Sequence, residues 1–470
     1  MMNEDPTALV PELALLTAAV LGLLLGSWLP RRRQGWVRAL AVAACVIGLI
    51  ATAVAATRPD EMVFGGSYAV DATTHATRAI VLVATLLLLG LSTDTVAGHR
   101  RETEYTVLVL LGALGSVLLA GAADLLLLFS AFLLASIPLY ALAAWDKADL
   151  ATEAAMKYYL SGAFAGVTMI TGVTVLYGAT GATGYAAMRE GLSTGPAAAA
   201  AVGLVAVLAG LAFKAGAVPA HFWVPDVTDG TPPAVAAVLT TIPKIGALVG
   251  AYRLLTTAIP DTVVDWPPLL AVLAAASMTL GNLAAFAQTS LLRLLAYSTI
   301  SQVGYLLMAI AVASRTPAAL PALLFYLAAY AITNIGAFAV VAALPGRTID
   351  AHRGLARRHP MLAVALVICL LGLVGTPPTA VFLGKLTVFA AAIDGGMAWL
   401  VVVAIINTAA SLFYYLRWIA PVFAATDPEQ HEPVVASLWA RLTAVTAAAA
   451  SLVLGVGGGL VFGFLGGTPG

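Results

Sequence analysis

Three lysines stand where a lysine is costly. Lys214 lies in "GLAFKAGAVPAHFWVPD" (210–226), Lys244 in "LTTIPKIGALVG" (239–250) and Lys385 in "LVGTPPTAVFLGKL" (373–386). Each sits in an apolar run with proline close by: Pro219, Pro243, or the pair Pro377 and Pro378. An ionisable side chain inside a spanning helix costs about 2.5–3.5 kcal/mol on insertion scales. Loss of water disfavours the charged form of an amine, so such a group can give up a proton and take it back. Three of them in one chain point to a proton relay rather than to one structural ion pair. The plainer reading is snorkelling, in which a lysine near a helix end reaches the headgroups. It suits Lys385, towards the end of its run, better than Lys244.

Other polar groups fit a relay less specifically. His221 follows Lys214 by one heptad and reads either as a relay member or as a capping or packing residue. Lys157 reads as a relay member or as a snorkelling side chain. Asp226 and Asp229, in "VPDVTDGTPPAV", read as loop residues with capping roles, and Asp124 as an N-cap. Tyr158, Tyr159, Tyr305, Tyr330, Tyr414 and Tyr415 read as interface or packing aromatics. Cys45 and Cys369 have no metal-ligand spacing and read as small core residues. There is no GxGxxG after a strand, no Walker A motif and no Cys/His metal set. Net charge is zero, so no basic face for nucleic acid is expected. Nothing marks a pocket for an organic solute.

The elements that must position these groups are membrane helices. Of 470 residues, 61% are hydrophobic and 10% charged, with mean hydropathy +0.97. Soluble domains are about 25% charged, and the alternating strands of a membrane barrel are absent. A bilayer core needs roughly 20 apolar residues per helix. Windows of that kind fall at about 9–29, 37–56, 77–97, 105–122, 124–145, 155–178, 197–222, 232–258, 267–288, 292–314, 318–344, 361–393, 397–423 and 437–465. They predict an all-α polytopic protein of about 14 transmembrane helices forming one membrane domain over 1–470. The N-terminus is acidic and lacks the basic region of a cleaved signal, so the first helix is expected to stay. The links at 31–38, 99–101 and 346–360 are rich in Arg and fall on one side, whereas the opposite links hold little more than Arg58, Arg189 and Arg315. By the positive-inside rule that side is internal, and both termini lie outside. Helices 7 and 12 are both interrupted by proline beside a lysine, five helices apart. Matched broken helices mark inverted repeats, here 105–258 (helices 4–8) and 267–423 (helices 9–13). A proline in a spanning helix frees a carbonyl that needs water or a polar neighbour. The alternative is a harmless kink.

At the level of motif, "GLAFKAGAVPAHFWVPDVTDGTPPAVAAVLTTIPKIGAL" resembles helices 7 and 8 of the antiporter-like subunits of respiratory complex I. "MTLGNLAAFAQTSLLRLLAYSTISQVGYLL" is similar to their helices 9 and 10. "AYAITNIGAFAVV" and "GLARRHPMLAVALVICLLGLVGTPPTAVFLGKL" are similar to helices 11 and 12. The resemblance covers about residues 70–420, in order. Pro243–Lys244 resembles the N-type branch, a lysine at 385 is unlike the M-type, and the L-type lateral helix is not seen. The resemblance implies a membrane-arm subunit of NADH:quinone oxidoreductase that translocates protons through buried lysines and water. Quinone reduction in other subunits would drive it. It implies no redox cofactor in this chain, with FMN, iron–sulfur clusters and quinone elsewhere. It also implies M-type and K-type membrane subunits as partners, and a prokaryotic inner or plasma membrane. By carry-over, Lys214 is the helix-7 lysine, Lys244 the central helix-8 lysine and Lys385 the exit-side helix-12 lysine.

Three positions depart from the family pattern. Leu133 stands where helix 5 normally carries a glutamate thought to pair with the helix-7 lysine. Leu292 replaces a frequent basic residue, leaving Arg293, and Gln302 replaces a frequent histidine. An opposite charge nearby favours the charged lysine. Without it, Lys214 is expected to be neutral more often or to pair elsewhere. The rival readings are a subunit of a multisubunit sodium/proton antiporter and an antiporter-like subunit that has become purely structural.

Overall fold

The computed structural model describes residues 6–193, 195–425 and 436–464. Residues 1–5 and 465–470, on which the readings of the two chain ends bear, lie outside them. Thirteen described helices are long and apolar enough to span a membrane. The fourteenth span is an interrupted pair, Pro360–Val374 and Ala380–Asp394, matching the expected break in helix 12. In chain order helices 1–4 are Val10–Trp28, Gly35–Ala55, Ala72–Leu91 and Glu102–Gly121. Helices 6, 9, 10 and 11 are Asp149–Thr180, Trp266–Phe286, Leu291–Ala311 and Ala319–Ala343, and helices 13 and 14 are Ala398–Val422 and Leu438–Val456. Helix 8 runs over Pro233–Arg253 and ends in a π turn, Leu254–Ala258. Helix 7 is broken as expected, into Ala197–Ala215 and Trp223–Gly230.

The all-α expectation needs one small correction. In the link at 58–76, Glu61–Val63 pairs antiparallel with Tyr68–Val70. A second correction concerns helix 5, expected as one window and found in two pieces, Leu125–Leu134 and Ile137–Ala143. Pro138 has no N–H, so the Leu134 carbonyl loses its helical donor. The N–H groups of Leu139 and Tyr140 both turn to the Ser136 carbonyl, at 3.0 Å each. The Ala135 carbonyl is thereby released from the ladder. Asp124 caps this helix as expected, accepting from the N–H of Leu126 (2.7 Å) and Leu127 (3.2 Å).

The chain forms two compact units. The first comprises residues up to Leu86, Gly98–Trp223 and Ile242–Ala271. It holds a buried charged network that the sequence reading missed. Arg78 on helix 3 binds Glu12 on helix 1 through two bonds, 2.7 and 2.9 Å, and donates to the Ala8 carbonyl at 3.0 Å. Tyr68 donates to the same carboxylate at 2.8 Å. Arg253, at the end of helix 8, binds Asp71 at 2.6 and 2.8 Å and the Ala120 carbonyl at 2.7 Å. Burial alone would raise the Asp71 carboxyl, but the hydrogen bond and charge of Arg253 hold it below its usual value. The available signal was one charge of each sign near the start of the first and third apolar windows.

The second unit comprises Leu87–Ala97, Val224–Thr241 and the chain from Val272. Its link between helices 11 and 12 folds His352 fully inside. The His352 Nδ1 accepts from the Trp418 indole N–H at 3.2 Å, which fixes the neutral tautomer with its proton on Nε2. Burial, with help from the Arg358 charge, pushes this imidazole down to about 4. The unfolded chain therefore binds a proton below about pH 6.5 that the folded chain refuses until about pH 4. Stability from this residue is complete above pH 6.5 and is lost as pH falls towards 4, on the order of 3 kcal/mol in all. Thermal unfolding of wild type against His352→Gln over that range checks it, and the pH-dependent gap between them should close at low pH.

Candidate functional site: three lysines at opened helices

The side chains of Lys214, Lys244 and Lys385 are 0%, 2% and 3% exposed, which removes the snorkelling alternative for all three. Each lies beside a point where a helical hydrogen-bond ladder is interrupted, and each interruption has a cause in the sequence.

Lys214 ends the first piece of helix 7. Its ammonium donates to the Ala135 carbonyl, 3.2 Å away, which the break in helix 5 has released. The rings of Phe132, Tyr140 and Tyr158 surround it, with centroids 5.1, 5.8 and 6.0 Å from Nζ. The pairing elsewhere expected from Leu133 is therefore with backbone and aromatic faces.

Lys244 sits in helix 8, whose membrane window is wholly buried. Pro243 withholds the N–H that the Leu239 carbonyl would otherwise receive. One turn on, the Ser116 hydroxyl is inserted into the ladder: it donates to the Ile242 carbonyl at 2.7 Å and accepts the Gly246 N–H at 3.0 Å. Only glycine allows that approach, because a Cβ on residue 246 would stand 2.2 Å from the Ser116 carbonyl oxygen. Earlier in helix 8, Asn334 donates to Thr240 (3.3 Å) and Thr241 (2.9 Å). Tyr330 donates to the Thr240 carbonyl at 3.1 Å and meets Thr299 at 2.9 Å. These tyrosine and threonine hydroxyls can each donate and accept, as proton transfer requires.

Lys385 lies in the second turn of the second piece of helix 12. Pro377 and Pro378 remove the donors owed to the Leu373 and Val374 carbonyls. Lys385 takes the Val374 carbonyl at 2.8 Å, and Gln302 takes that of Leu373 at 2.8 Å. Lys385 also donates to Thr408 (3.3 Å) and lies 4.0 Å above the Tyr305 ring. Tyr326 donates to the Gln302 carbonyl oxygen at 2.6 Å. Of the tyrosines expected to pack, Tyr158 and Tyr305 lie against the Lys214 and Lys385 amines, Tyr330 is wholly buried, and Tyr159 is exposed.

The remaining predicted residues are scattered. His221 lies in the turn between the two pieces of helix 7, 8% exposed, with its ring against Phe222. Lys157 is exposed on helix 6 and pairs with Glu153, one turn earlier, at 2.9 Å. Leu292 is fully buried in helix 10. Asp226 and Asp229 are not loop caps: both belong to the second piece of helix 7. Asp226 pairs with Arg293 at 3.0 Å, and Asp229 accepts from Ser290 at 2.6 Å. Cys45 and Cys369 are free and buried, as expected. Among the described residues no group of three or more His, Cys, Asp or Glu could hold a metal ion.

A family described as "NADH:quinone oxidoreductase/Mrp antiporter, TM" matches residues 122–411, which include all three lysines. The chain is 65% identical to NADH-quinone oxidoreductase subunit N 1 of Streptomyces griseus, over 99% of its own length and 98% of the relative's. It is 52% identical to NADH-quinone oxidoreductase subunit N of a Mycobacterium species, over 97% of each. Among solved structures, a chain of respiratory complex I from Thermus thermophilus with bound Aureothin superposes with a TM-score of 0.82 at 35% identity, covering 96% of this chain and 98% of that one. With opened helices in the expected places and relatives aligned from end to end, the chain belongs to the family of NADH-quinone oxidoreductase subunit N, the antiporter-like membrane subunits of complex I.

Proposed function

We propose that the chain carries protons across the bacterial plasma membrane through Lys214, Lys244 and Lys385 and intervening water, driven by quinone reduction in other subunits. The observation that carries this reading is the common setting of the three lysines. Each is buried beside a ladder that proline or an inserted serine has disturbed, and the Lys214 and Lys385 amines donate to carbonyls that the breaks release within the membrane interior. A purely structural charge has no need of three such openings. His221, at the break in helix 7, and Lys157, paired with Glu153 on the exposed face of helix 6, stand at the periphery of this path. The redox centres, FMN and iron–sulfur clusters, belong to other subunits, and the chain docks M-type and K-type membrane subunits. Both termini face outward, with the Arg-rich links on the inner side.

The test is proton uptake per NADH oxidised in membrane vesicles, comparing Lys214→Ala and Lys385→Ala with wild type. Both variants are expected to lower the ratio. If neither does, the relay reading fails for this chain; a ratio that depends on sodium would favour sodium/proton exchange instead.

A further inference from the structure

We propose that Phe132, Tyr140 and Tyr158, with the Ala135 carbonyl, form a cation-holding cage that positions the Lys214 ammonium in the role a carboxylate would otherwise fill. The proposal rests on Lys214 being a relay member. Its evidence is the geometry around Nζ: one carbonyl at 3.2 Å and three ring centroids within 6.0 Å. Among the described residues no carboxylate lies within ion-pair distance of Lys214. Aromatic faces carry negative charge density and attract a cation, more strongly once water is removed. Lys214 has no exposed surface, so the attraction acts at full strength.

The cage is built by the break in helix 5. In an unbroken helix Phe132 and Tyr140 would stand about 12 Å apart along the axis. Here both rings face one nitrogen, and the same break frees the carbonyl between them. Tyr158, from helix 6, closes the third side. It packs edge-on to Tyr140 at 4.7 Å and stacks on Trp223 at 4.3 Å, and Trp223 is itself tied to the Phe213 carbonyl at 2.9 Å. Gly162 makes room for Tyr140: a Cβ there would lie 2.0 Å from the phenol oxygen. The Tyr158 hydroxyl has no hydrogen-bond partner among the described residues, so the ring, rather than the hydroxyl, is the part in use.

The experiment measures the pH profile of proton uptake per NADH oxidised, in vesicles containing the whole complex. Phe132→Leu keeps apolar volume but removes the ring, so charged Lys214 loses support. The alkaline limb is expected to move to lower pH by about half a unit or more. Phe132→Tyr and Tyr158→Phe keep their rings and should leave the limb in place. If Phe132→Leu does not assemble, Tyr140→Leu against Tyr140→Phe gives the same comparison. An unmoved limb in the leucine variants, with uptake still lowered by Lys214→Ala, overturns the cage but not the relay. If Lys214→Ala leaves uptake unchanged, the relay reading itself falls, and the cage with it.

Discussion

Lys244→Met stops proton transfer through this chain and leaves its thermal stability within about 1 kcal/mol of wild type. The two halves of that result come from opposing physical effects. Lys244 is 2% exposed, in a helix whose membrane window is entirely enclosed. Methionine keeps the unbranched stem, and volume-conserving swaps usually cost less than about 1.5 kcal/mol. Loss of the amine's own interactions in the buried helix costs roughly 1–3 kcal/mol. Against this, the variant no longer places an ionisable group in the membrane interior, a saving of about 2.5–3.5 kcal/mol. The balance lies near zero, whereas the ability to bind a proton at that point is lost entirely. A structural lysine would behave in the reverse way, with stability falling and transport unchanged. Thermal unfolding of the purified complex, paired with proton uptake per NADH oxidised, separates the two. Full uptake with a marked loss of stability would remove Lys244 from the relay.

The same contrast explains what could be read in advance. The lysines were legible because a charge in a twenty-residue apolar window is conspicuous and carries a known cost. The break in helix 12 was legible because Pro377 and Pro378 withdraw two donors at one place. The break in helix 5 was not, since a single Pro138 in an apolar window is often tolerated as a kink. Its consequence, the free Ala135 carbonyl, could not be seen either: a backbone acceptor has no residue type, and its release depended on where the Leu139 N–H turned. Asp226 and Asp229 were misplaced for a related reason. Pro225, Gly230 and Pro232 read as a loop, yet the segment is helical and its acids meet Arg293, more than sixty residues on. The partners of Gln302 likewise depended on tertiary contacts. Gln302 retained a place in the site because an amide can do what the opened helix 12 demands, donating to the Leu373 carbonyl while accepting from Tyr326.

Glu12→Gln is expected to destabilise the first unit by about 3–5 kcal/mol. Arg78 has no exposed surface and Glu12 is 5% exposed, so water screens neither charge. The wild-type pair is bidentate, with Tyr68 and the Ala8 carbonyl filling remaining hydrogen bonds. Glutamine keeps one acceptor but turns an NH2 group towards a guanidinium that can only donate. The arginine stays charged, because its proton cannot be shed at accessible pH, and it is left buried without a counter-charge. The His75 ring, 3.3 Å from it, cannot compensate, since protonation there would add a second positive charge. Removing both members is expected to cost less than removing one: Glu12→Leu with Arg78→Leu buries no uncompensated charge, and such replacements are often neutral. The measurement is a double-mutant cycle on thermal unfolding of the purified complex. A double variant as unstable as the sum of the two singles would show that Glu12 and Arg78 act independently. A single variant with wild-type stability would show that water reaches Arg78 after all.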